Sequence, residues 1–278
     1  EAQTRNDRDL ILNERLPQDL RPTLFLAQLS NLMAGNISIV HKVTGSSRTY
    51  MGEESAGVTA IRDAVARISH GQSSHLLVGG GYNAERVDLF LNIELGRYLA
   101  RDTAAPVQER QEAGGGIIPG SAGVFLVLES EEHASARGAR PYAKISAVAS
   151  DLGARTAEET AARFGRMLEK LPLDRDSRPA ILTGASGFSD ITGWEFDALR
   201  SRFGMEAAIR AYTSMTGNTI EANFPLGIAL AAIALKNGSF YEPFEAAEKP
   251  VKIPPSSVLV STAGHYRGEG MAMVEAAS

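Results

Sequence analysis

The sequence contains no cysteine, and this absence excludes several kinds of chemistry together. Disulfide bridges, thiolate metal sites and cysteine nucleophiles all require the thiol group. A chain without cysteine is compatible with either redox compartment. Residues 1–14 are charged and lack the hydrophobic region of a signal peptide, so we expect a cytoplasmic protein.

Long hydrophobic runs and an excess of positive charge are also lacking. The longest apolar run, residues 224–235, is interrupted by Pro225 and Gly227 and is too short to span a bilayer. It predicts a helix buried in the core. The net charge of −5 gives no electrostatic footprint for nucleic acid or for an anionic membrane. We therefore expect no membrane span and no nucleic-acid partner.

Familiar nucleotide and metal motifs are missing as well. The glycine triplets at residues 79–81 and 114–116 lack the spacing of a dinucleotide-binding loop, and residues 183–187 lack that of a serine elbow. No pair of the five histidines has the spacing of a zinc helix, so we expect no metal site. Only His265, in a glycine-rich loop between two predicted strands, is placed like a site residue. A solvated loop histidine is the better interpretation of it.

Predicted strands and helices alternate along most of the chain. Strands are predicted at residues 48–51, 76–78, 123–128, 142–148, 180–183, 207–212, 258–260 and 271–274. Helices are predicted at residues 24–34 (closed by Gly35-Asn36), 55–68, 87–99, 129–138, 156–171, 194–203 and 224–235. This alternation indicates an α/β protein with mostly parallel sheets.

The stretch from residue 46 to residue 68 reads as a strand, a sharp turn and an amphipathic helix. A helix start after a strand is a common place for reactive groups, because free backbone N–H groups favour negative charge there. Two carboxylates, Glu53 and Glu54, lie at this elbow. They read either as a reactive group or as acids that stabilise the helix dipole. Since adjacent residues point in different directions, they do not form an acid/base dyad, and at most one faces a cavity.

Four segments, taken in order, resemble a β-ketoacyl-acyl carrier protein synthase, a condensing enzyme of the thiolase-like superfamily. Residues 29–39 resemble its helix before the nucleophile strand, and residues 119–129 its "PGEGAG…VLE" strand. Residues 133–140 resemble its "HAxARGA" helix, and residues 214–217 its "KSMTGH" loop.

The resemblance implies a thiolase-like duplicated fold, layered αβαβα with mostly parallel mixed sheets. Residues 1–140 would be the remainder of the N-terminal half, and residues 141–278 the C-terminal half. The N-terminal part of the first half is then absent from this chain.

The catalytic positions of the family differ in this sequence. In the family, a cysteine at the elbow carries the acyl chain as a thioester, two histidines stabilise the intermediate from malonyl decarboxylation, and a lysine orients the site. The resemblance places these four positions on Glu54, Gly184, Asn218 and Thr213. A carboxylate is a poorer nucleophile than a thiolate, and the missing imidazoles remove oxyanion donors. We therefore predict no independent condensing activity and assign no catalytic residue.

The substrate positions differ too. The family's two threonines that contact the pantetheine arm fall on Ser186 and Phe188, and its gating loop falls on residues 264–270, with Tyr266 at the gate. An aromatic ring at Phe188 implies a substrate channel that is narrowed or closed. We expect no cofactor, apart from the phosphopantetheine arm of an acyl carrier protein as a possible carrier of substrate.

A condensing-enzyme fold without its catalytic groups resembles a chain-length factor, the partner of an active synthase in a heterodimer. In the family, the strand before the elbow pairs with its equivalent across the dimer axis. That interface would here comprise Ser46, Ser47, Arg48, Thr49, Tyr50 and Met51. Two alternatives stay open: an acyltransferase, decarboxylase or thioesterase of altered chemistry that uses Glu54, and a structural or acyl-carrier-binding homodimer.

Overall fold

The computed structural model describes residues 5–19, 23, 29–101, 104–174, 176–251, 253–266 and 268–277. The chain forms two compact units, Glu1–Met51 and Gly52–Ser278. In the described part of the chain, no helix has both the length and the apolar character needed to cross a membrane.

The first unit contains the helices α1 (Arg5–Asp19) and α2 (Asn31–His41). The predicted helix end at Gly35-Asn36 is wrong, because α2 continues through both residues. The helix ends instead at Lys42, which adopts the left-handed conformation typical of a helix C-terminus. Residues 24–28 of the predicted helix lie outside the described residues.

The predicted strand before the elbow is wrong as well. Residues 46–51 have no regular secondary structure. A strand is defined by hydrogen bonds to a neighbour, and no strand of the described chain pairs with this segment. The dimer interface assigned to these six residues depended on that strand, and it stays a prediction.

The second unit contains most of the regular structure. Its helices are α3 (Glu54–Ser69), α4 (Val87–Leu95), α5 (Val107–Glu112), α6 (Glu131–Ala136), α7 (Ala157–Glu169), α8 (Ser189–Phe203), α9 (Thr213–Thr216) and α10 (Asn223–Asn237), with a 3₁₀ turn at Ile220–Ala222. Its strands are β1 (His75–Tyr82), β2 (Ala122–Glu129), β3 (Ala143–Asp151), β4 (Ala180–Thr183), β5 (Ile209–Ala211), β6 (Ser257–Ala263) and β7 (Glu269–Ala276). Apart from residues 46–51, each predicted strand is therefore present in some form.

The strands form two sheets of mixed direction. β1 pairs with β2 in an antiparallel ribbon, and the larger sheet has the order β3-β7-β6-β4-β5. Within it, β4 runs parallel to β5 and β6, whereas β7 is antiparallel to β3 and β6. The sheets are thus less parallel than predicted. The short turn between β6 and β7 explains part of this, because a tight hairpin can join only antiparallel strands.

The C-terminal end of β1 lies later in the sequence than predicted, and glycine explains the difference. β1 was expected to end before Gly79, yet it continues through the triplet to Tyr82. A Cβ atom on Gly79 would lie 2.0 Å from the carbonyl oxygen of Val124 on β2. Glycine therefore permits the close approach of the two strands, and the triplet is part of the ribbon.

Helices cover both faces of the larger sheet. Phe164 of α7 and Leu199 of α8 pack with Leu259 of β6 on one face. Ile61 of α3 and Phe224 of α10 pack with the next β6 residue, Val260, on the other. Successive strand residues point to opposite faces, so β6 is buried on both sides. This packing holds the N-terminus of α3 against the β6–β7 hairpin. The proposed division into halves at residue 140 stays a prediction.

Candidate functional site

The elbow is built at the first turn of α3. The Ser55 hydroxyl donates to the Gly52 carbonyl oxygen over 2.5 Å, and the Ala56 N–H donates to that of Glu53 over 3.0 Å. Glu53 adopts a left-handed φ of 57°, which is uncommon for a residue with a side chain. Glu54 follows as the first helical residue, and it is completely buried.

A histidine from the β6–β7 turn contacts the buried carboxylate. His265 Nδ1 lies 2.9 Å from Glu54 Oε1 and 3.1 Å from Oε2, and the backbone N–H of His265 donates to Oε1 over 3.3 Å. His265 is only 7% exposed, so the interpretation as a solvated loop histidine is wrong. The elbow therefore contains an imidazole, although it does not come from either position where the resemblance placed one.

Asn218 is the second side chain that holds Glu54. Its amide Nδ2 donates to Glu54 Oε1 over 3.2 Å, and its Oδ1 accepts from the Ile220 N–H over 2.8 Å. The Asn218 backbone is fixed by a bond from its N–H to the Ile118 carbonyl oxygen. The position that the resemblance assigned to the second histidine thus lies beside the elbow and donates a hydrogen bond there.

The protonation states of Glu54 and His265 favour an ion pair. Burial alone would raise the pKa of Glu54, but the charge and hydrogen bond of His265 bring this pKa below its usual value. Burial alone would lower the pKa of His265, but the Glu54 carboxylate raises it. The lowered pKa of Glu54 and the raised pKa of His265 both favour a carboxylate paired with an imidazolium.

The second elbow carboxylate approaches the other side of the same ring. Glu53 Oε1 lies 4.0 Å from His265 Nε2, and the Glu53 side chain is 40% exposed. A third carboxylate is near: burial, followed by the charges of Glu54 and Glu53, raises the pKa of Glu221. Burial and the charge of Glu221 raise the pKa of Tyr82 to about 12. Three carboxylates of the described residues therefore interact with one another near a single imidazole.

Arg155 fixes the turn that carries His265. Its Nε donates to the Tyr266 carbonyl oxygen over 2.9 Å, and one terminal nitrogen donates to that of Gly264 over 2.7 Å. The other terminal nitrogen forms an ion pair with Glu269, which also accepts from Arg163 Nε over 3.0 Å. Arg155 thus bonds to the main chain on both sides of His265 and positions the imidazole.

Two neutral side chains, those of Tyr212 and Asn223, lie next to Gly184, the position that the resemblance assigned to the family's first histidine. A Cβ atom on Gly184 would lie 2.5 Å from the Tyr212 hydroxyl and 2.5 Å from Asn223 Nδ2. These two groups are themselves anchored: Tyr212 donates to the Asn223 carbonyl oxygen, and Asn223 Nδ2 donates to the Gly184 carbonyl oxygen, both over 2.8 Å. The direction that a side chain at residue 184 would take is occupied.

The other predicted positions have local partners. The Thr213 hydroxyl donates to the Ala185 carbonyl oxygen, and the Ser186 hydroxyl accepts from the Phe188 N–H over 3.1 Å. Both side chains are buried. Neither forms a described hydrogen bond with the elbow.

Aromatic rings connect Phe188 to the elbow. Tyr98 lies edge-on to Phe188, with 5.1 Å between ring centroids, and edge-on to His265, with 4.8 Å between them. Tyr266, which the resemblance placed at the gate, is 54% exposed. The sequence reading identified Phe188 but missed Tyr98 and Arg155, because neither belongs to a local motif.

A large cavity lies elsewhere in this unit. A groove of about 630 Å³ runs between α7 and α8, lined among others by Leu168, Trp194 and Ala198. Glu54 does not line it. Since Glu54 is also fully buried, a substrate cannot reach this carboxylate in the observed arrangement.

Comparisons with known proteins match the resemblance seen in the sequence. Residues 3–134 match the family model "Beta-ketoacyl synthase, N-terminal domain". The chain is 29% identical to 3-oxoacyl-[acyl-carrier-protein] synthase 2 of Rhizobium meliloti (strain 1021), over 50% of this chain and 34% of that protein. It is 28% identical to the tetracenomycin polyketide synthase ketoacyl synthase beta subunit of Streptomyces glaucescens, over 73% of this chain and 52% of that protein. The chain thus spans about a third to a half of the length of these relatives.

A solved structure gives the same result for the fold. The ishigamide ketosynthase/chain length factor superposes with a TM-score of 0.78 at 18% identity, over 97% of this chain and 72% of the solved one. At this identity the likeness concerns the fold alone. The chain therefore has the thiolase-like fold of the ketosynthases, and its residues 3–134 are similar to the N-terminal domain of the β-ketoacyl synthases.

Proposed function

We propose that this chain is a non-condensing, chain-length-factor-like subunit that works beside an active β-ketoacyl synthase in fatty-acid or polyketide chain extension. The main observation in support of the proposal is that the carboxylate at the elbow is inaccessible to solvent. Glu54 is fully buried and bonded to His265 and Asn218, so its oxygens are engaged where a free nucleophile is needed.

The turn at Gly184 supports the same role. A histidine there would overlap the Tyr212 hydroxyl and the Asn223 amide, which hold each other and the Gly184 carbonyl group. The direction that an imidazole at residue 184 would take is thus occupied by these two groups. Restoring condensation would require moving two buried side chains in addition to replacing Glu54.

The partners follow from the names of the relatives. One is called a ketoacyl synthase beta subunit, and one solved relative combines a ketosynthase with a chain length factor. The name of another relative, 3-oxoacyl-[acyl-carrier-protein] synthase 2, contains the acyl carrier protein. We therefore propose an active synthase as the dimer partner, with residues 46–51 in the interface, and an acyl carrier protein as the second partner.

Reconstitution tests this proposal. The chain is purified alone and together with an active synthase encoded beside it, and each sample receives acyl- and malonyl-carrier proteins. We expect extended acyl products, detected by mass spectrometry, only from the mixed sample. Products from the isolated chain would refute the proposal. An active synthase whose product length and rate do not change when the chain is omitted would refute the partner role.

A paired substitution tests the interface. Thr49→Arg adds charge to the proposed interface, and we expect it to abolish co-purification with the synthase. Ala162→Arg adds the same charge to an exposed position of α7 and serves as the control. Equal co-purification of the two variants would exclude residues 46–51 as the interface.

A second candidate function is favoured by the carboxylate–imidazole pair itself. A carboxylate that holds one ring nitrogen of a histidine is the usual support of a general base or acid. In an altered decarboxylase or thioesterase, the reacting atom would then be His265 Nε2, with Glu54 as its positioning residue. Consumption of malonyl- or acyl-carrier by the isolated chain, lost in His265→Gln, would favour this candidate.

A third candidate is the structural or acyl-carrier-binding homodimer. It predicts neither products nor consumption in any sample. The same assays therefore distinguish all three.

A further inference from the structure

Three potential metal ligands meet at the elbow. One ligand atom each from Glu53, Glu54 and His265 can be chosen so that all three lie within 4.8 Å of one another. The two glutamates lie at the start of α3, and the histidine lies in the β6–β7 turn. Glu54 and His265 are 211 residues apart in the sequence. The cluster is thus created by the fold and is not a feature of local sequence.

The two ring nitrogens of His265 have different surroundings. Nδ1 is held by the buried carboxylate of Glu54 at 2.9 Å, whereas Nε2 faces Glu53 at 4.0 Å. Histidines that bind a metal almost always use one nitrogen for the ion and give the other N–H to a carboxylate or carbonyl group. Glu54 already supplies that carboxylate.

We propose that His265 Nε2 and the Glu53 carboxylate bind a divalent transition-metal ion, which displaces the Nε2 proton into solvent, while Glu54 accepts from Nδ1–H and orients the ring. The distances require only a small adjustment. Zinc bonds of 2.0–2.2 Å in tetrahedral geometry separate two ligand atoms by about 3.4 Å. The Glu53 side chain is 40% exposed and can move the remaining fraction of an ångström.

The charge around the elbow favours a cation. Three carboxylates, Glu53, Glu54 and Glu221, influence one another electrostatically, and among the described residues His265 and Arg155 also interact with this group. The positive end of the α3 dipole amounts to only about half an elementary charge. Arg155 already forms an ion pair with Glu269. A divalent ion at Nε2 would add positive charge beside these carboxylates.

The donor set indicates the class of ion. One imidazole and one carboxylate suit zinc, cobalt, nickel or copper, whereas magnesium and calcium prefer sites made of oxygen alone. Two protein ligands leave further positions for water. We therefore expect weaker binding than at a structural zinc site with four protein ligands.

Metal titration of the purified chain tests this site. After treatment with a chelator and dialysis, the protein is titrated with Co²⁺ by visible absorption and with Zn²⁺ by calorimetry. We expect one equivalent of each to bind, and Mg²⁺ not to compete at similar concentration. Glu54→Gln should weaken binding by about 10–100-fold, the usual effect of losing a carboxylate that supports a metal-bound histidine.

Glu53→Gln is the decisive variant, because a half-exposed residue can be replaced without loss of folding, which circular dichroism verifies. We expect it to weaken Co²⁺ binding at least as much as Glu54→Gln. Glu112→Gln and His70→Gln, both at exposed positions, are the controls and should bind like the unaltered chain.

Two results would overturn the inference: no binding of Co²⁺ or Zn²⁺ by the unaltered chain, or equal binding by the Glu53→Gln variant. Either would leave the proposed partner role untouched, since that role is measured by product formation in the reconstituted mixture.

Discussion

The resemblance places catalytic groups at two positions, the elbow at Glu54 and the turn at Gly184. Different interactions make each position unsuitable for the family's chemistry. At the elbow, a buried carboxylate contacts an amide and an imidazole whose pKa it raises. At the turn, a neutral hydroxyl and a neutral amide occupy the space of a side chain. The first arrangement depends on charge and therefore on pH, whereas the second depends on volume. The difference can be tested one side chain at a time.

The largest effect is expected from removing the cation at the elbow. His265→Leu leaves the Glu54 carboxylate buried without its charged partner, and breaking a buried pair in this way costs about 3–5 kcal/mol. Urea denaturation measures the loss in the free energy of unfolding. The double variant Glu54→Gln/His265→Leu should recover much of it, because no buried charge is left. A double variant as unstable as His265→Leu would contradict the ion pair.

The next effect concerns the residue that positions the imidazole. Arg155→Met removes two hydrogen bonds to carbonyl groups and one ion pair, and we expect a loss of about 1.5–3 kcal/mol. Arg166→Met is the matched control, because Arg166 pairs with Asp151 at the surface, where such pairs contribute about 0–1 kcal/mol. Equal losses in the two variants would mean that Arg155 does not fix the turn.

At Gly184 the expected effect comes from overpacking alone. Gly184→Ala places a methyl group 2.5 Å from the Tyr212 hydroxyl and the Asn223 amide, which should cost about 1–3 kcal/mol. Gly165→Ala is the control: it lies in α7 with nothing within 4 Å, and alanine there should stabilise by up to about 1 kcal/mol. Thermal denaturation distinguishes the opposite signs. Stabilisation by both substitutions would show that the turn is not filled.

The smallest expected effect is the change in the free energy of unfolding per pH unit. The folded-state pKa of Glu54 lies below 4.5, so its contribution is complete above that pH and is lost as the pH falls through the folded value. The folded-state pKa of His265 lies above 6.5, so its contribution is complete below that pH and is lost as the pH rises through the folded value. The pair therefore stabilises most between pH 4.5 and 6.5.

Stability curves of the unaltered chain and of Glu54→Gln/His265→Leu should differ most in this window. For one proton, the difference should decline by at most about 1.4 kcal/mol per pH unit outside it. The destabilisation caused by Gly184→Ala should not change with pH in the same range. A pH-independent difference for the elbow variant would contradict the charge assignment.

The sequence predicted those parts of the fold that depend on neighbours along the chain. The helix after Thr156 was found from its capping pattern, and the Thr156 hydroxyl does accept from the Glu159 N–H over 3.3 Å. The sequence failed where an element depends on distant contacts. Residues 46–51 have strand-like composition but no strand to pair with among the described residues, and Gly35 resembles a helix end that its surroundings do not produce.

The candidate site was predictable to a similar extent. The turn and helix start at Glu54 were predicted correctly, although the strand before them was not, and the resemblance identified Asn218, which does contact Glu54. That His265 reaches the same carboxylate could not be read from the sequence, because the two residues are 211 positions apart. The edge-on Tyr98 ring and the hydrogen bonds of Arg155 likewise arise only from the fold.

We propose that the elbow carboxylate is held in an ion pair and does not carry an acyl chain. The most direct test of this proposal is the mass of the intact protein after incubation, in isolation, with acyl- and malonyl-carrier proteins. We expect an unchanged mass and no carbon–carbon bond formation. An added acyl group that disappears in the Glu54→Gln variant would contradict it.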